Sequence, residues 1–374
     1  MASLINRFTR AKRVVIKIGS SLLVDSASGQ LRRDWLAALG QDIAQMRRRG
    51  QEVLIVSSGS IAMGRHVLGL KNNPLRLEES QAAAATGQIQ LAHAYQEILG
   101  LEKIQVAQIL LTPGDTEERR RYLNARSTIT TLLSLGALPV VNENDTVATS
   151  EIRYGDNDRL AARVAQMISA DCLVLLSDVD GLYSADPKGD ADAKFIHEVK
   201  DLDNEILAMA SKTKTDVGRG GMETKLKAAQ IAMAAGCNMF ITSGTVMHPL
   251  KALEDGALST CFIAHDSPRK ARKKWIAASL SSRGQLMIDK GAEKALKSGK
   301  SLLPAGVSKV EGPFERGDLE TVVNMGGEEL GRGLVAYSSD DAQCIIGHKS
   351  SEIAEILGYS GRDEMIHRDE LALN

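Results

Sequence analysis

Apolar segments alternate with amphipathic segments along most of the first 260 residues. Residues 31–49 carry apolar side chains at spacings of three and four, which is typical of a helix with one buried face. The strand-like segments are mainly apolar and do not alternate with polar residues, and they lie at residues 14–18, 52–56, 104–111, 137–141, 172–176 and 237–242. Because such strands alternate with helices, the pattern predicts an α/β fold with a mainly parallel β-sheet sandwiched by helices.

The composition changes near residue 267. A basic run follows Pro268, and beyond it glycines separate short β-type segments such as 321–323 and 334–337. This pattern predicts a small, mostly β C-terminal domain. The expected division is therefore a first domain over 1–265, a solvated basic linker over 266–275 and a second domain over 276–374.

Composition narrows the function classes. The net charge is −1 and aromatic residues make up 3% of the chain, so neither a global positive field nor a set of stacking platforms favours nucleic acid. No segment is long enough to cross a membrane. The four cysteines are scattered, and Cys172 and Cys237 begin apolar runs where they are expected to be buried. We expect a cytoplasmic, reducing compartment.

Polar loops follow four of the predicted strands, beginning at Gly19, Ser57, Asn142 and Ser177. In parallel sheets ligands bind beyond the carboxyl ends of the strands, so these loops predict a polar site. Lys17 lies inside an apolar strand, where a cation needs a negative partner. The following small-residue loop could receive a phosphate, whereas an edge strand with a solvated lysine is the alternative.

Two further motifs carry charge at predicted helix starts. Residues 218–225 place three glycines before a helix whose first turns contain Lys225, an arrangement suited to anions, although an ordinary flexible loop is the alternative. The spacing matches neither a Walker A loop nor Gly-x-Gly-x-x-Gly. In residues 155–158 two carboxylates flank Asn157, where they could cap a helix, accept from lysines or hold a cationic substrate group.

Taken in order, these motifs make the chain resemble the glutamate 5-kinases, a branch of the amino acid kinase family with a C-terminal PUA domain. The matching stretches are residues 15–20, 56–59, 141–145, 155–158, 176–183 and 220–225. One departure is Arg219, where the family commonly has threonine.

The resemblance implies transfer of the ATP γ-phosphoryl group to the side-chain carboxylate of L-glutamate, the first step of proline biosynthesis, with Mg²⁺ accompanying ATP. It implies that Lys17 and Lys225 bridge the phosphates and that Asp158 orients both lysines. The implied ATP-binding residues are Lys17, Gly19, Ser177, Asp178, Arg219, Gly220, Gly221, Met222, Glu223, Thr224 and Lys225. The implied glutamate-binding residues are Ser58, Gly59, Asp145, Asp156 and Asn157, with Asp145 on the α-ammonium and amides on the carboxylates.

The resemblance also implies feedback inhibition by proline, a homo-oligomer (dimer or tetramer) and a possible hand-off of product to glutamyl phosphate reductase. Two alternatives stay open. One is a sibling kinase acting on acetylglutamate, aspartate, uridylate or carbamate. The other is RNA binding through the PUA domain, which the excess of acidic over basic side chains in residues 275–374 disfavours.

Overall fold

The computed structural model describes residues 2–25, 28–70, 74–147, 157–187, 189–212, 221–278, 282 and 284–374. The chain divides into two compact units, Met1–Pro268 and Arg269–Asn374. The predicted domain bounds of 1–265 and 276–374 stay a prediction.

The first unit alternates strands and helices in the described residues. Its elements are α1 (Ala2–Thr9), β1 (Arg13–Ile18), α2 (Ser20–Leu23), α3 (Arg33–Arg48), β2 (Glu52–Val56), α4 (Ser60–Val67), α5 (Leu77–Leu101), β3 (Val106–Leu111), α6 (Pro113–Glu117), α7 (Arg119–Ser134), β4 (Leu138–Glu143), α8 (Asn157–Met167), β5 (Cys172–Ser177), β6 (Leu182–Tyr183), β7 (Phe195–Ile196), β8 (Glu198–Val199), α9 (Asn204–Lys212), α10 (Met222–Ala234), β9 (Asn238–Ser243), α11 (Pro249–Glu254) and β10 (Ser259–Phe262).

Eight of these strands form one sheet in the order β3-β4-β2-β1-β5-β9-β10-β8. Every neighbouring pair is parallel except β9 and β10. Because β4, β2, β1 and β5 are neighbours and parallel, their carboxyl ends meet at one edge of the sheet. The predicted α/β fold and mainly parallel sheet are confirmed, and the four polar loops lie at that edge.

Both faces of this sheet are covered by apolar side chains. In β1, Val14, Ile16 and Ile18 join one buried cluster, whereas Val15 joins the other, which includes side chains from α8 and α10. Successive side chains of a strand point to opposite faces, so Lys17 lies on the same face as Val15. The alternation along β1 therefore directs a buried lysine toward α8 and α10.

Helices α4 and α5 pack against each other through two glycines. A Cβ atom on Gly64 would lie 1.7 Å from the carbonyl oxygen of Ala83, and one on Gly87 would lie 1.9 Å from that of Ser60. Only glycine allows this approach, and the alanine run at 82–85 together with Gly87 is a sequence pattern suited to such close packing. The contact places the start of α4 against the middle of α5.

Several sequence expectations need correction. The sequence interpretation omitted α1, whose Phe8 is fully buried against Phe240. The polar loop expected at Asn142 begins later, since β4 continues to Glu143. The sequence interpretation omitted β6, β7, β8 and β10. The polar, β-branched residues 146–154 predict an excursion or a hairpin, and all of them beyond residue 147 lie outside the described residues.

The second unit is built around a five-stranded sheet in the order β12-β11-β13-β14-β15. Its elements are α12 (Pro268–Ala278), β11 (Gln285–Ile288), α13 (Lys290–Lys297), β12 (Val307–Glu311), β13 (Leu319–Val323), β14 (Glu329–Leu334), α14 (Ser339–Ile345), α15 (Ile353–Leu357) and β15 (Leu371–Leu373), with 3₁₀ turns at Pro304–Gly306, Ser350–Glu352 and Arg368–Glu370. The small, mostly β character expected from the sequence is confirmed.

The basic run at the start of this unit is a helix. Arg272 of α12 is buried, and its guanidinium lies 2.5 Å from the carboxylate of Glu370. The expectation of a solvated linker is therefore wrong at Arg272. The strand expected at 334–337 is also misplaced, because β14 ends at Leu334.

Two remaining expectations concern the cysteines and membrane-spanning segments. Cys172 and Cys237 are fully buried, as expected, and burial raises the pKa of both thiols. Among the described residues, no helix combines the length and the apolar character needed to cross a bilayer.

Candidate active site

Three charged side chains from distant parts of the chain meet beside the sheet edge. Nζ of Lys17 lies 2.5 Å from Oδ1 of Asp158, and Nζ of Lys225 lies 3.2 Å from Oδ2 of the same carboxylate. Asp158 is fully buried, and the two lysines are only 8% and 5% exposed. One buried carboxylate therefore holds two ammonium groups close together.

Local structure explains why these groups converge. Lys17 is the penultimate residue of β1, opposite Val56 of β2 and Leu175 of β5. Asp158 and Lys225 lie in the first turns of α8 and α10. An acidic side chain in a first helical turn is stabilised by the helix dipole. The strand alternation and the two helix starts thus bring the charges to one point.

Opposing effects set the ionisation of Asp158. Burial raises the pKa of its carboxyl, but the charges of Lys17 and Lys225, together with their hydrogen bonds, outweigh burial and leave the pKa below its ordinary value. Asp158 is therefore ionised at neutral pH. The cluster carries one negative and two positive charges, which leaves a net positive charge facing any anion that enters.

The side-chain amide of Asn157 joins three loops of the sheet edge. Its Nδ2 lies 2.5 Å from the backbone carbonyl oxygen of Ser57, 2.9 Å from Oγ of Ser58 and 2.9 Å from Oδ1 of Asn142, so two N–H groups are shared among three acceptors. Asn157 directly precedes Asp158, so this polar cluster is continuous with the lysine–aspartate cluster. The structure therefore brings Ser58 and Asn157 together.

Gly59 and Asp145 lie beside this amide cluster. Gly59 has φ +104°, a left-handed conformation that favours glycine, and it precedes α4. Ser60 Oγ lies 3.4 Å from Oδ2 of the half-buried Asp145. The chain thus presents a carboxylate next to the backbone of a glycine turn.

The predicted nucleotide residues that the structure describes lie at the ends of β1 and β5 and at the start of α10. Gly19 donates its N–H to Leu176, and Ser177 Oγ donates to the exposed carboxylate of Asp178. Gly221 is the N-cap of α10, and Thr224 Oγ1 donates to its carbonyl oxygen.

Two predicted nucleotide residues contribute less to the lysine–aspartate cluster than the others do. Met222 begins α10 and is half-buried, whereas the exposed carboxylate of Glu223 pairs with Lys227 at 2.6 Å and is turned to solvent. Asp156, Arg219 and Gly220 lie outside the described residues.

The sequence interpretation did not assign several residues that support the amide cluster. Gln88 Oε1 accepts from Asn142 Nδ2 at 2.7 Å, and the buried hydroxyls of Tyr95 and Ser57 lie 3.0 Å apart. Burial raises the pKa of Tyr95, so this phenol stays protonated. The position of Asn142 at the end of a buried strand could have indicated that it belongs to the site. Nothing in the sequence pattern points to Gln88 or Tyr95 of α5.

No group of three or more His, Cys, Asp or Glu side chains is arranged to hold a metal ion within the described ranges. Asp178 offers an exposed carboxylate at the end of β5. A single carboxylate of this kind fits Mg²⁺, which usually enters kinase sites with substrate phosphates and one or two carboxylates.

Comparison with known proteins gives consistent matches. The model of the amino acid kinase family matches residues 12–243, and that of the PUA domain matches residues 284–357. The "Glutamate 5-kinase" of Paramagnetospirillum magneticum is 61% identical over 97% of this chain and 98% of its own length. The protein of the same name from Agrobacterium fabrum is 58% identical over 96% of this chain and 92% of its own.

Among solved structures, a carbamate kinase from Giardia lamblia bound to AMP-PNP aligns with a TM-score of 0.49 and 19% identity. The alignment covers 68% of this chain and 99% of that one.

The family model spans more than half of the chain, and the curated relatives match along almost all of it. The chain therefore belongs to the amino acid kinase family.

Proposed function

We propose that this protein transfers the γ-phosphoryl group of ATP to the side-chain carboxylate of L-glutamate, giving L-glutamyl 5-phosphate in the first step of proline biosynthesis. The observation that carries the proposal is the pair of lysines, Lys17 and Lys225, held on one buried aspartate at the carboxyl edge of the sheet. Near-full-length similarity to proteins named glutamate 5-kinase supports this choice of acceptor.

The chemistry needs positive charge more than it needs a base. A glutamate side chain has a pKa near about 4.3, so its carboxylate is already ionised at neutral pH and can attack phosphorus directly. The attacking group and the triphosphate are both anions. Ammonium groups and oriented N–H groups must therefore offset their repulsion and stabilise charge on the transferring group.

Lys17 and Lys225 are proposed to act on the phosphates and on the transferring group. Asp158 is proposed to hold both ammonium groups in place, because its carboxylate is ionised, buried and in contact with each. The glycine turns at Gly19 and Gly221 would let backbone N–H groups approach phosphate oxygens. Ser177, Asp178 and residues 219–224 complete the proposed nucleotide site.

Glutamate is proposed to bind between the Asn157 amide cluster and the Gly59 turn. Ser58, Gly59, Asp145, Asp156 and Asn157 form this proposed subsite, with the carboxylate of Asp145 on the α-ammonium group. Mg²⁺ is proposed to enter with ATP, with Asp178 as the carboxylate that would hold it, and when bound it supplies neutralisation of phosphate charge.

A trapping assay tests the proposed function. Purified protein is incubated with ATP, Mg²⁺ and L-glutamate, and hydroxylamine is added to convert the acyl phosphate into a stable hydroxamate with release of phosphate. We expect glutamate-dependent ADP release matched by γ-glutamyl hydroxamate. Aspartate, N-acetylglutamate, carbamate and UMP serve as matched acceptors, and faster turnover with any of them would replace glutamate by a sibling substrate.

Further properties are proposed with this function. We expect proline to inhibit the enzyme, the chain to form a homo-oligomer (dimer or tetramer) and the unstable acyl phosphate to pass to glutamyl phosphate reductase in the cytoplasm. Adding proline to the trapping assay and measuring the solution mass by light scattering test the first two.

A further inference from the structure

Three side-chain amides form a hydrogen-bonded chain from α5 to the proposed glutamate site. Gln88 of α5 accepts from Asn142 Nδ2 through its Oε1 at 2.7 Å. Asn142 in turn accepts from Asn157 Nδ2 through its Oδ1 at 2.9 Å. Gln88 and Asn157 are half-buried and Asn142 is buried, so the chain runs from the side of the helix into the site.

Backbone groups determine which way the inner two amides face. The N–H of Glu143 donates to Asn142 Oδ1 at 2.9 Å, and the carbonyl oxygen of Ser57 accepts from Asn157 Nδ2 at 2.5 Å. A backbone N–H can only donate and a backbone carbonyl can only accept. Asn142 therefore presents its oxygen to Asn157 of α8, and its nitrogen to Gln88 of α5 and, at 3.4 Å, to Ser60 Oγ. If either amide were flipped, a donor would face a donor or an acceptor would face an acceptor.

This orientation decides what Asn157 can offer a substrate. Its nitrogen is engaged with Ser57, Ser58 and Asn142, which are all acceptors on the protein. In the part of the chain that the structure describes, no protein donor approaches its Oδ1. The group left for a ligand is therefore an acceptor, which complements an ammonium and not a carboxylate.

We propose that Gln88 is a positioning residue that makes the site selective for acceptors bearing an α-ammonium group. The backbone sets the orientation of both asparagines, and Gln88 Oε1 holds Asn142 in place by its nitrogen. Asn142 in turn holds Asn157 in place, so that Asn157 Oδ1 faces the ammonium beside Asp145. This assignment rests on the proposed function and reverses the expectation that this amide binds a substrate carboxylate. A site built to hydrogen-bond one substrate group discriminates against analogues that lack it.

The test compares glutamate with glutarate, which has the same two carboxylates and no ammonium group. Gln88→Met removes the acceptor at similar length, and Gln88→Glu keeps an acceptor in the same place. We expect Gln88→Met to raise the KM for glutamate roughly tenfold, as expected for weakening a hydrogen bond to a charged group. The inhibition constant of glutarate and the KM for ATP should stay unchanged, and Gln88→Glu should restore the KM for glutamate.

Gln90 provides a matched control, because it lies on the same helix and is exposed. Gln90→Met should leave all three constants unchanged. An unchanged KM for glutamate in Gln88→Met, or a parallel rise of the glutarate inhibition constant, would overturn the proposal. Gln88→Ala is measured alongside Gln88→Met. If the loss of activity in both variants is explained by a smaller amount of folded protein alone, Gln88 has a structural role and the proposal is overturned. Wild-type protein that shows no glutamate-dependent ADP release would overturn the proposed function itself.

Discussion

Replacing Asp158 by asparagine removes the charge that holds the two lysines and leaves the side-chain shape almost unchanged. At 3.2 Å, the Lys225–Asp158 distance, a pair of unit charges interacts by about 5 kcal/mol at an effective dielectric constant of 20. Removing one partner of a buried pair typically costs about 3–5 kcal/mol, because the remaining charges stay buried without compensation. That loss is a large share of the roughly 5–15 kcal/mol of stability typical of a folded domain.

Three measurements on the Asp158→Asn variant follow from this. Urea unfolding should show a loss of about 3–5 kcal/mol. ATP should raise the melting temperature of the variant more than that of the wild type, because a triphosphate supplies the negative charge that Lys17 and Lys225 have lost. Turnover with saturating substrates should fall by a factor of about 100 or more, since the ammonium groups are no longer held in position.

The matched control is Asp255→Asn, which removes the exposed carboxylate that pairs with Lys251 on α11. An exposed ion pair of this kind contributes about 1 kcal/mol or less, so both stability and turnover should stay near wild type. An Asp158→Asn variant that unfolds like the control, or whose melting temperature responds to ATP no more than the wild type does, would refute the electrostatic reasoning.

Three further predictions concern the two lysines, the contact between α4 and α5, and the pH dependence of stability. Lys17→Met and Lys225→Met should each lower kcat by a factor corresponding to roughly 3 kcal/mol or more. The trapping assay with saturating ATP and glutamate measures this, and a kcat near that of the wild type would exclude a direct role for the lysine. Gly87→Ala should destabilise the protein strongly and lower its activity, because its Cβ would overlap the carbonyl of Ser60 at the start of α4. The matched control is Gly100→Ala on the same helix, whose Cβ would have no atom within 4 Å. Equal melting temperatures of the two variants would contradict the packing argument. The stability conferred by the lowered pKa of Asp158 is present above the ordinary carboxyl pKa of about 4, and it is lost as the pH falls through the lower pKa of the folded state. The free energy of unfolding of Asp158→Asn should therefore depend less on pH in that range than that of the wild type. Parallel curves of unfolding free energy against pH for the two proteins would contradict this prediction.

Sequence patterns located the elements that have a long, uniform apolar signal. The predicted strand at 52–56 coincides with β2, and the predicted helix at 31–49 overlaps α3 along its whole length. The two-residue strands β6, β7 and β8 were not predicted, because a segment of two residues is too short to show a hydrophobic period. β14 was misplaced because it contains Gly331 and Gly333, residues depleted in strands. Their lack of a Cβ is required where β15 and Ile366 approach closely.

The amino-acid sequence alone determined the α/β class, the polar loops at the strand ends and the presence of a lysine inside an apolar strand. These are local properties, because they depend on side-chain periodicity over a few residues. Only the tertiary structure decided that Lys17 and Lys225 share the carboxylate of Asp158, and that Gln88 reaches Asn142. Such contacts depend on strand order and on the orientation of α5, α8 and α10, which long-range packing sets and no single segment encodes.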